Sequence, residues 1–293
     1  MDERAALSRI KATLAAAGDD AAVVDGQVIT TDMLHERTDF PEGTTRYTAG
    51  WRAVGASLSD VAGMGAQATA AVAVYAAPAF DAAELDDFLS GASDVCEAVG
   101  AEYVGGDLDT HTEFTVATTA LGETDTPVLR SGAEPGDVVA VTGALGRSAA
   151  ALRLFEQGDV MRSNDLFQFT PRVAAGVALA PHASAMMDVS DGLARSLHQL
   201  AEASDCGFTV EEASIPVTAA VSELAADGAD RRELSLFFGE DFELLLTVPE
   251  ASWEAAVAAC PEPLTRIGEV TEKGVEMDGD SLPDRGYTHG GPN

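Results

Sequence analysis

The chain has 293 residues, 46% of them hydrophobic, and its 49 acidic against 17 basic residues give a formal net charge of −32. This composition excludes a disordered or collagen-like chain, and the length suffices for two modest globular domains. The acidic balance also argues against a nucleic-acid partner, because nucleic acids are bound through clustered lysines and arginines.

Lysine is scarce: Lys11 and Lys273 are the two lysines of the chain, and the acidic residues are scattered rather than gathered in a tail. Such a composition is typical of proteins from organisms with a salt-rich cytoplasm, where strong screening makes a large net charge tolerable. We therefore predict a halophilic, cytoplasmic protein, with an ordinary acidic cytosolic enzyme as the alternative.

The apolar stretches argue against a membrane partner. The longest of them, residues 68–80, is rich in alanine and too short to cross a bilayer. The first residues lack the basic-then-apolar order of a signal peptide. We expect neither a membrane span nor a secretion signal.

Residues 1–126 are predicted to form an N-terminal domain of mixed helices and strands. Asp25-Gly26 favours a hairpin turn, and Asp81 with Glu84 forms the capping-box pattern that begins a helix. Apolar periodicity indicates the other elements. In chain order we predict a hairpin over 22–31, a helix over 51–61, a strand over 70–75, a helix over 82–99 and strands over 102–104 and 114–121.

A linker is predicted over residues 123–137, where prolines and glycines dominate and the hydrophobic periodicity lapses. We place the domain boundary there, with a C-terminal domain over residues 127–293. Mixed elements in both halves predict two α/β sandwiches. In the second half we predict strands over 138–141, 185–189 and 243–248, helices over 148–155, 193–203 and 253–259, and short final strands.

Five segments place an aspartate beside glycine, serine or threonine, in what we interpret as turns. Carboxylates at such turns can converge on one ligand, and oxygen ligands are those that Mg²⁺ prefers while it bridges substrate phosphates. Each segment alone has a simpler interpretation, since an aspartate next to glycine usually caps a helix or builds a turn. The segments are 18–20, 30–32, 58–60, 105–107 and 188–192.

Together with a sixth stretch, these segments resemble the ordered signature of the thiamine-monophosphate kinases. Each motif is weak alone, but six in the same order with similar intervals make chance agreement implausible. They run from near the start of the chain to residue 245. The stretches are Gly18-Asp19-Asp20-Ala21-Ala22-Val23, Thr30-Thr31-Asp32-Met33-Leu34, Leu58-Ser59-Asp60-Val61-Ala62-Gly63-Met64-Gly65, Gly105-Gly106-Asp107, Asp188-Val189-Ser190-Asp191-Gly192-Leu193 and Gly239-Glu240-Asp241-Phe242-Glu243-Leu244-Leu245.

The resemblance implies the fold of a superfamily that also contains aminoimidazole ribonucleotide synthetase, selenophosphate synthetase and a hydrogenase-maturation protein. The expected fold class is α/β (α+β), with an N-terminal sheet domain used for dimerisation and a C-terminal α/β sandwich. The implied activity is ATP-dependent phosphorylation of thiamine monophosphate to thiamine diphosphate with several Mg²⁺ ions. We therefore expect ATP, thiamine monophosphate and a second copy of the chain as partners.

The resemblance also assigns site residues by position. The residues that match metal ligands are Asp20, Thr30, Thr31, Asp32, Asp60, Asp107, Asp188 and Asp191. The residues that match ATP contacts are Gly106, Asp107, Arg130 and Ser190. The residues assigned to thiamine monophosphate are Asp39, Glu240 and Tyr287, and Asp39 stands where the family generally has a histidine. We expect the metal-binding aspartates to surround one cleft between the two domains.

The implied reaction needs positioning and charge neutralisation more than covalent chemistry. The acceptor is a phosphate that is already ionised near neutral pH, so we assign no general base and no covalent nucleophile. We therefore predict direct in-line transfer without a phosphoenzyme.

Other functions stay open on the sequence. Aminoimidazole ribonucleotide synthetase shares the use of ATP and the architecture. Selenophosphate synthetase needs a reactive residue near the N-terminus and the hydrogenase-maturation protein a C-terminal cysteine, whereas the cysteines here are Cys96, Cys206 and Cys260. Outside the enzymes, the alternative is a non-catalytic module that holds a nucleotide or a metal ion.

Overall fold

A computed structural model of the chain describes residues 3–14 and 16–287. Two β-sheets, one within residues 22–123 and the other within residues 138–281, are each accompanied by helices, so the predicted fold class is confirmed. Within the described residues, no helix is both long enough and apolar enough to span a bilayer.

The N-terminal sheet has five strands with helical crossovers. Its elements are α1 Glu3–Lys11, β1 Ala22–Val24, β2 Gln27–His35, α2 Glu36–Asp39, α3 Arg46–Gly63, β3 Gln67–Ala77, α4 Ala82–Ala98, β4 Glu102–Thr110 and β5 Thr115–Glu123. The strand order is β1-β2-β5-β3-β4. The pair β3 and β4 is parallel and is joined by α4, because parallel neighbours need a crossover connection.

The helix α3 packs on one face of this sheet and is buried along most of its length. Its apolar residues Val54 and Leu58 are fully buried. The helix begins at Arg46, earlier than the apolar periodicity indicates, because the Thr45 hydroxyl accepts a hydrogen bond from the Thr48 N–H. The position of α3 matters for function because its C-terminal end reaches the other half of the chain.

The opposite face of the same sheet, which we call the open face, displays apolar side chains to solvent. Ile29, Met33 and Val74 are 37%, 58% and 40% exposed. Strand register places Met33, Ala117, Val74 and Asp107 in one row across the sheet, so their side chains share this face. The open face therefore carries both apolar surface and one of the predicted site residues.

The C-terminal half contains the second sheet, of seven strands. Its elements are β6 Val138–Thr142, α5 Arg147–Glu156, α6 Val160–Phe167, α7 Val173–Leu179, β7 Ala185–Asp188, α8 Leu193–Ser204, β8 Gly207–Val210, α9 Ala219–Leu224, α10 Gly228–Arg232, a π-helical turn Glu233–Phe237, β9 Leu244–Val248, α11 Trp253–Ala259, β10 Leu264–Thr271, β11 Val275–Met277 and β12 Asp280–Ser281. The strand order is β12-β11-β8-β10-β6-β9-β7. The strand β7 lies at the edge of this sheet and ends at Asp188, whose side chain contacts α3.

Three of the five acidic segments lie in regular structure, so their interpretation as turns was wrong. Asp32 lies within β2, Asp60 lies in the last turns of α3, and Asp107 lies within β4. The glycines at 105 and 106 suggested a turn, but β4 is an edge strand with a register irregularity opposite β3, a setting that tolerates glycine.

Candidate active site

Four aspartates from both halves of the chain converge, and we call Asp20, Asp32, Asp60 and Asp188 the aspartate cluster. Asp20 precedes β1, Asp32 lies in β2 and Asp60 in α3, whereas Asp188 ends β7 of the other sheet. The other three carboxylates lie close enough to repel the charge of Asp60. The structure thus brings together four of the six aspartates that we expect around one cleft.

Asp20 joins the two halves within the cluster. Its Oδ2 accepts a hydrogen bond from the backbone N–H of Asp188 at 3.0 Å, and its Oδ1 accepts one from Nε of Arg130 at 2.7 Å. Gly63 ends α3 against the same carboxylate, where a Cβ would lie 1.9 Å from Oδ2 of Asp20. A side chain at this position would displace the Asp20 carboxylate and its hydrogen bonds, so the close approach favours glycine.

A hydroxyl group orients each of the other three carboxylates. The hydrogen bonds run from Thr30 to Asp60 at 2.5 Å, from Ser57 to Asp32 at 2.7 Å and from Ser59 to Asp188 at 2.7 Å. All three hydroxyls lie on elements of the N-terminal half, on β2 and α3. The N-terminal half therefore fixes the rotamer even of the carboxylate that the C-terminal half contributes.

Burial and mutual repulsion raise the pKa values of these carboxyl groups. The pKa of Asp60 lies well above its ordinary value because the group is buried, and then because Asp32, Asp188 and Asp20 repel its charge. The pKa of Asp188 rises to about 8, again from burial first and from Asp20 next. A bound cation would offset this repulsion and favour the ionised carboxylates.

The chemistry of the donor set fits Mg²⁺. Carboxylate and hydroxyl oxygens are hard ligands, and Mg²⁺ usually takes one or two protein carboxylates and completes its shell with water and substrate phosphates. Among residues 3–14 and 16–287, no group of three or more acidic, histidine or cysteine side chains has the arrangement of a complete metal site. Because Mg²⁺ usually keeps ligand positions for water and phosphate, this donor set fits ions that the protein and phosphates hold jointly.

Arg130 contributes a positive charge to the edge of the cluster. It lies in the linker between the two sheets, and its Nη2 is 2.6 Å from Oδ1 of Asp20. Its backbone N–H also donates to Oδ1 of Asp19 at 2.8 Å. Burial lowers the pKa of its guanidinium, but Asp20 and the neighbouring carboxylates together outweigh that effect and raise it, so the side chain is a fixed cation beside a place where anionic oxygens gather.

A cavity of about 880 Å³ lies between α2, α5, the π-helical turn and the C-terminal segment. The aromatic rings of Phe237, Phe238 and Tyr287 contribute to its lining, and so do the carboxylates of Asp39 and Glu240. The backbone N–H of His35 and the hydroxyl of Thr38 both donate to the Asp39 carboxylate, which holds it in place. The three predicted substrate contacts therefore share one cavity.

Among the described residues that line this cavity, five are acidic and three are basic. Its wall contains three arginines, and each of them forms an ion pair with an acidic residue. The pairs are Arg153 with Asp230 at 2.7 Å, Arg195 with Asp284 at 2.9 Å and Arg285 with Glu233 at 2.8 Å. Asp39 and Glu156 add further carboxylates to the wall, and so does Glu240, which pairs with the buried Arg52. An acidic cavity lined by aromatic rings suits a cationic aromatic ligand.

One loop connects the aspartate cluster with the cavity. Asp188 belongs to the cluster, and three residues later the backbone oxygen of Asp191 accepts a hydrogen bond from the N–H of Tyr287 at 3.1 Å. Between them, the backbone oxygen of Ser190 accepts one from the N–H of Glu240 at 2.6 Å. Ser190 and Asp191 therefore lie where a molecule in the cavity would approach the cluster.

Two family models match the chain, AIR synthase related protein N-terminal domain over residues 18–124 and AIR synthase related protein C-terminal domain over residues 134–279. A thiamine-monophosphate kinase of Halobacterium salinarum is 62% identical over 291 residues, which span 99% of this chain and 100% of that protein. The chain belongs to the thiamine-monophosphate kinase family. A member from Methanospirillum hungatei is 39% identical and is matched over 99% of both chains.

Solved structures of the family share the fold. A structure described as AaThiL complexed with AMPPCP and TMP superposes with a TM-score of 0.90 at 29% identity, over 98% of this chain and 97% of that one. Thiamine monophosphate kinase from Aquifex aeolicus gives a TM-score of 0.85 at 29% identity, over 96% and 99% of the two chains. Hydrogenase maturation protein HypE in complex with ATP has a TM-score of 0.70 at 22% identity over 90% of this chain and 88% of that one, which shows a common fold.

The predicted site residues Gly106 and Asp107 lie on β4, apart from the aspartate cluster of this kinase family member. Asp107 on β4 is separated from Asp32 on β2 by three strand spacings, about 14 Å. It shares the open face with Thr31, whose hydroxyl donates to the backbone oxygen of Thr118 at 2.8 Å, whereas Asp32 faces α3. The expectation that Asp107 joins the cleft is therefore wrong for a single chain.

The sequence did not indicate several residues that support the aspartate cluster and the cavity. Ser57, Ser59 and Gly63 were each part of or next to a motif, but their contacts depend on how α3 meets β2 and β7. Arg52 is a stronger omission, because it is 1% exposed and bonds to Glu240. An arginine inside an otherwise apolar helical stretch was the available signal.

Proposed function

We propose that this chain transfers the γ-phosphoryl group of ATP to thiamine monophosphate and so produces thiamine diphosphate. The observation that carries the proposal is the loop from Asp188 to Gly192, which joins an oxygen-rich cluster for metal-bound phosphates to an acidic aromatic cavity. A substrate with a cationic aromatic head and a phosphate tail matches these two neighbouring sites. The family to which the chain belongs supports the same substrates.

The cavity is suited to the thiamine end of the substrate. The thiazolium ring carries a positive charge, which the carboxylates of Asp39 and Glu240 would attract, and its face can stack on an aromatic side chain such as Tyr287. Asp39 supplies a full negative charge where the family generally has a histidine, so it would strengthen the attraction for the cation in this chain.

The cluster is suited to the phosphate end. Asp20, Asp32, Asp60 and Asp188 would hold Mg²⁺ together with the hydroxyl of Thr30, and Asp191 would approach the ions from the connecting loop. Mg²⁺ would offset the charge on the phosphates that meet there. Arg130 would contact a phosphate of ATP, and Ser190 would do so from the loop.

Transfer would be direct and in line. The acceptor oxygen is already anionic, and the clustered aspartates are engaged as ligands and hydrogen-bond acceptors, which makes them poor free nucleophiles. We expect ATP made chiral at its γ-thiophosphate to give a product with inverted configuration at phosphorus. Retention, or labelled protein after incubation with γ-labelled ATP alone, would require a phosphoenzyme.

We infer that the enzyme is a homodimer whose subunits meet at their open faces. A second copy would cover the apolar side chains of Ile29, Met33 and Val74, which are exposed in the single chain. A partner packed there would also bring its own Asp107 and Gly106 toward Thr31 of the first chain. This arrangement would explain why the predicted metal ligands Thr31 and Asp107 lie three strands apart in a single chain.

We further infer a cytoplasmic location and a domain boundary after Thr126. The acidic, lysine-poor composition supports a salt-rich cytoplasm, in which ATP is also available. The boundary falls in the segment between β5, which ends at Glu123, and β6, which begins at Val138. This segment carries Arg130, so the linker itself would contribute to the nucleotide site.

The deciding experiment is incubation of the purified chain with ATP, Mg²⁺ and thiamine monophosphate in molar KCl, followed by separation of the thiamine phosphates. We expect thiamine diphosphate to form in proportion to the ADP released. Turnover of the substrate of aminoimidazole ribonucleotide synthetase instead would reassign the enzyme. Saturable binding of ATP and Mg²⁺ without either product would identify a binding module.

A further inference from the structure

Arg52 is a buried arginine near the middle of α3, with 1% of its surface exposed. Its guanidinium donates to the backbone oxygen of Phe167 at 2.9 Å, to the hydroxyl of Ser148 at 3.1 Å and to Oε2 of Glu240 at 2.8 Å. The same group lies 3.6 Å from the centre of the Phe167 ring. One side chain of the N-terminal half is thus locked onto the C-terminal half.

Stability alone does not account for this arginine. Burying a charged group carries a large desolvation penalty, and an apolar side chain of similar size is often as stabilising. The Nε of Arg52 is also buried without a hydrogen-bond partner among the described residues. A buried polar atom without a hydrogen-bond partner is unfavourable. The presence of an arginine here therefore indicates that its other hydrogen bonds have a function.

Glu240 is the partner whose position matters most. It lines the cavity with its side chain 30% exposed, and its backbone has a left-handed φ of 55°, a conformation that non-glycine residues seldom adopt. The Ser148 hydroxyl donates to its backbone oxygen at 2.5 Å, and its own N–H donates to Ser190. The backbone is thereby fixed, and Arg52 fixes the carboxylate.

We propose that Arg52 is a positioning residue that holds the Glu240 carboxylate against the cationic end of the substrate. This inference rests on the proposed function, because it takes Glu240 as a contact to thiamine. The helix that carries Arg52 also carries Asp60, eight residues later, or about 12 Å along the helix axis. A single rigid helix therefore sets the separation between the carboxylate that binds the head of the substrate and the cluster that binds its phosphate.

The test is Arg52→Lys in the full-length protein, with steady-state kinetics in high salt and a melting temperature for each variant. Lysine keeps the charge but cannot reproduce the planar fork that meets three acceptors. We expect the KM for thiamine monophosphate to rise about tenfold or more while the KM for ATP stays the same, because a lost charge-assisted hydrogen bond at the substrate contact has that size.

Arg172→Lys is the matched control. Arg172 is also mostly buried, and it forms a two-pronged pair with the buried Glu243, outside the cavity wall. Its replacement should lower the melting temperature without changing the ratio of the two KM values. If Arg52→Lys behaves in the same way, Arg52 is only a structural residue and the proposal is wrong.

A double-mutant cycle with Glu240→Gln tests the route of the effect. If Arg52 acts through Glu240, the double variant should show no greater KM for thiamine monophosphate than Glu240→Gln alone. Additive effects would overturn the proposal while leaving the enzyme assignment intact. Absence of thiamine diphosphate formation by the unmodified protein would instead contradict the proposed function itself, so the two failures are distinguishable.

Discussion

Asp60 is the residue that the other cluster aspartates surround, since Asp20, Asp32 and Asp188 all lie near its carboxylate. We expect Asp60→Asn to lower kcat by about a hundredfold or more, because an amide is a neutral and weaker ligand for Mg²⁺ than a carboxylate. The measurement is kcat over a range of Mg²⁺ concentrations. Asp87→Asn, the same change on an exposed position of α4, is the control. Full turnover with unchanged Mg²⁺ dependence would remove Asp60 from the metal site.

The raised pKa values of Asp60 and Asp188 predict how stability depends on pH in the absence of Mg²⁺. Folding keeps these carboxyl groups protonated to a higher pH than in the unfolded chain, up to about 8 for Asp188. The folded state therefore binds more protons, and the free energy of unfolding falls as the pH rises from about 4 toward about 8.

Urea unfolding at pH 5 and pH 8 in chelator measures this dependence. Asp60→Asn removes one titrating group and one source of repulsion, so we expect a smaller loss of stability with pH and a more stable protein than the unmodified one at pH 8. Identical pH slopes for the two proteins would contradict the origin that we assign to the raised pKa values.

At the same scale, the sequence identified the residues of the site better than their contacts. Asp20, Asp32, Asp60 and Asp188 were predicted to meet, because each lies in a motif of the family that the sequence resembles, although Asp32 and Asp60 do not lie in the predicted turns. Gly63 and the hydroxyls of α3 were not, because their roles arise only when the helix end lies against both sheets. The displacement of Asp107 is likewise a matter of strand register, which no local pattern contains.

Among the elements, those with long periodic patterns were predicted well. The helices α4 and α8 and the strands β6 and β9 lie within a few residues of their predicted bounds. The short helices α6, α7, α9 and α10 were missed, since fewer than three turns give little periodicity and tertiary packing decides their formation. The strand β4 was predicted too short, because its two glycines and its exposure conceal an edge strand.

The open face yields a prediction for the N-terminal sheet as an element. Val74 lies in the row of Asp107 and is 40% exposed. We expect Val74→Glu to convert a dimer to a monomer, because a buried unpaired charge at an interface costs several kcal/mol. Sedimentation at several protein concentrations gives the mass, and Val257→Glu, a 41% exposed position on α11, is the matched control. A monomer with full activity would show that the site is complete in one chain.

At the scale of the whole molecule, the charge is the property that neither the fold nor the site requires. The net charge is −32, and 17 basic residues include only two lysines. Largely buried arginines pair with acids: Arg52 with Glu240 between the two halves, and Arg172 with Glu243 within the C-terminal half. The surplus of acidic residues is spread over the surface, so its effect on stability is a sum of many weak repulsions.

This repulsion makes stability depend on salt. At about 1 M salt the Debye length is about 3 Å, against about 10 Å at 0.1 M, so molar salt removes most of the repulsion between surface carboxylates. Unfolding lets the charges move apart, and screening therefore stabilises the folded state more than the unfolded one. We expect the melting temperature and the activity both to rise from dilute buffer to molar KCl.

Sucrose at matched osmolality is the control that separates charge screening from solute exclusion as causes of stabilisation. It favours burial by exclusion from the protein surface but does not screen charge. If sucrose raised the melting temperature as much as KCl, or if dilute buffer gave the same stability as molar KCl, the acidic surface would not be an adaptation to salt.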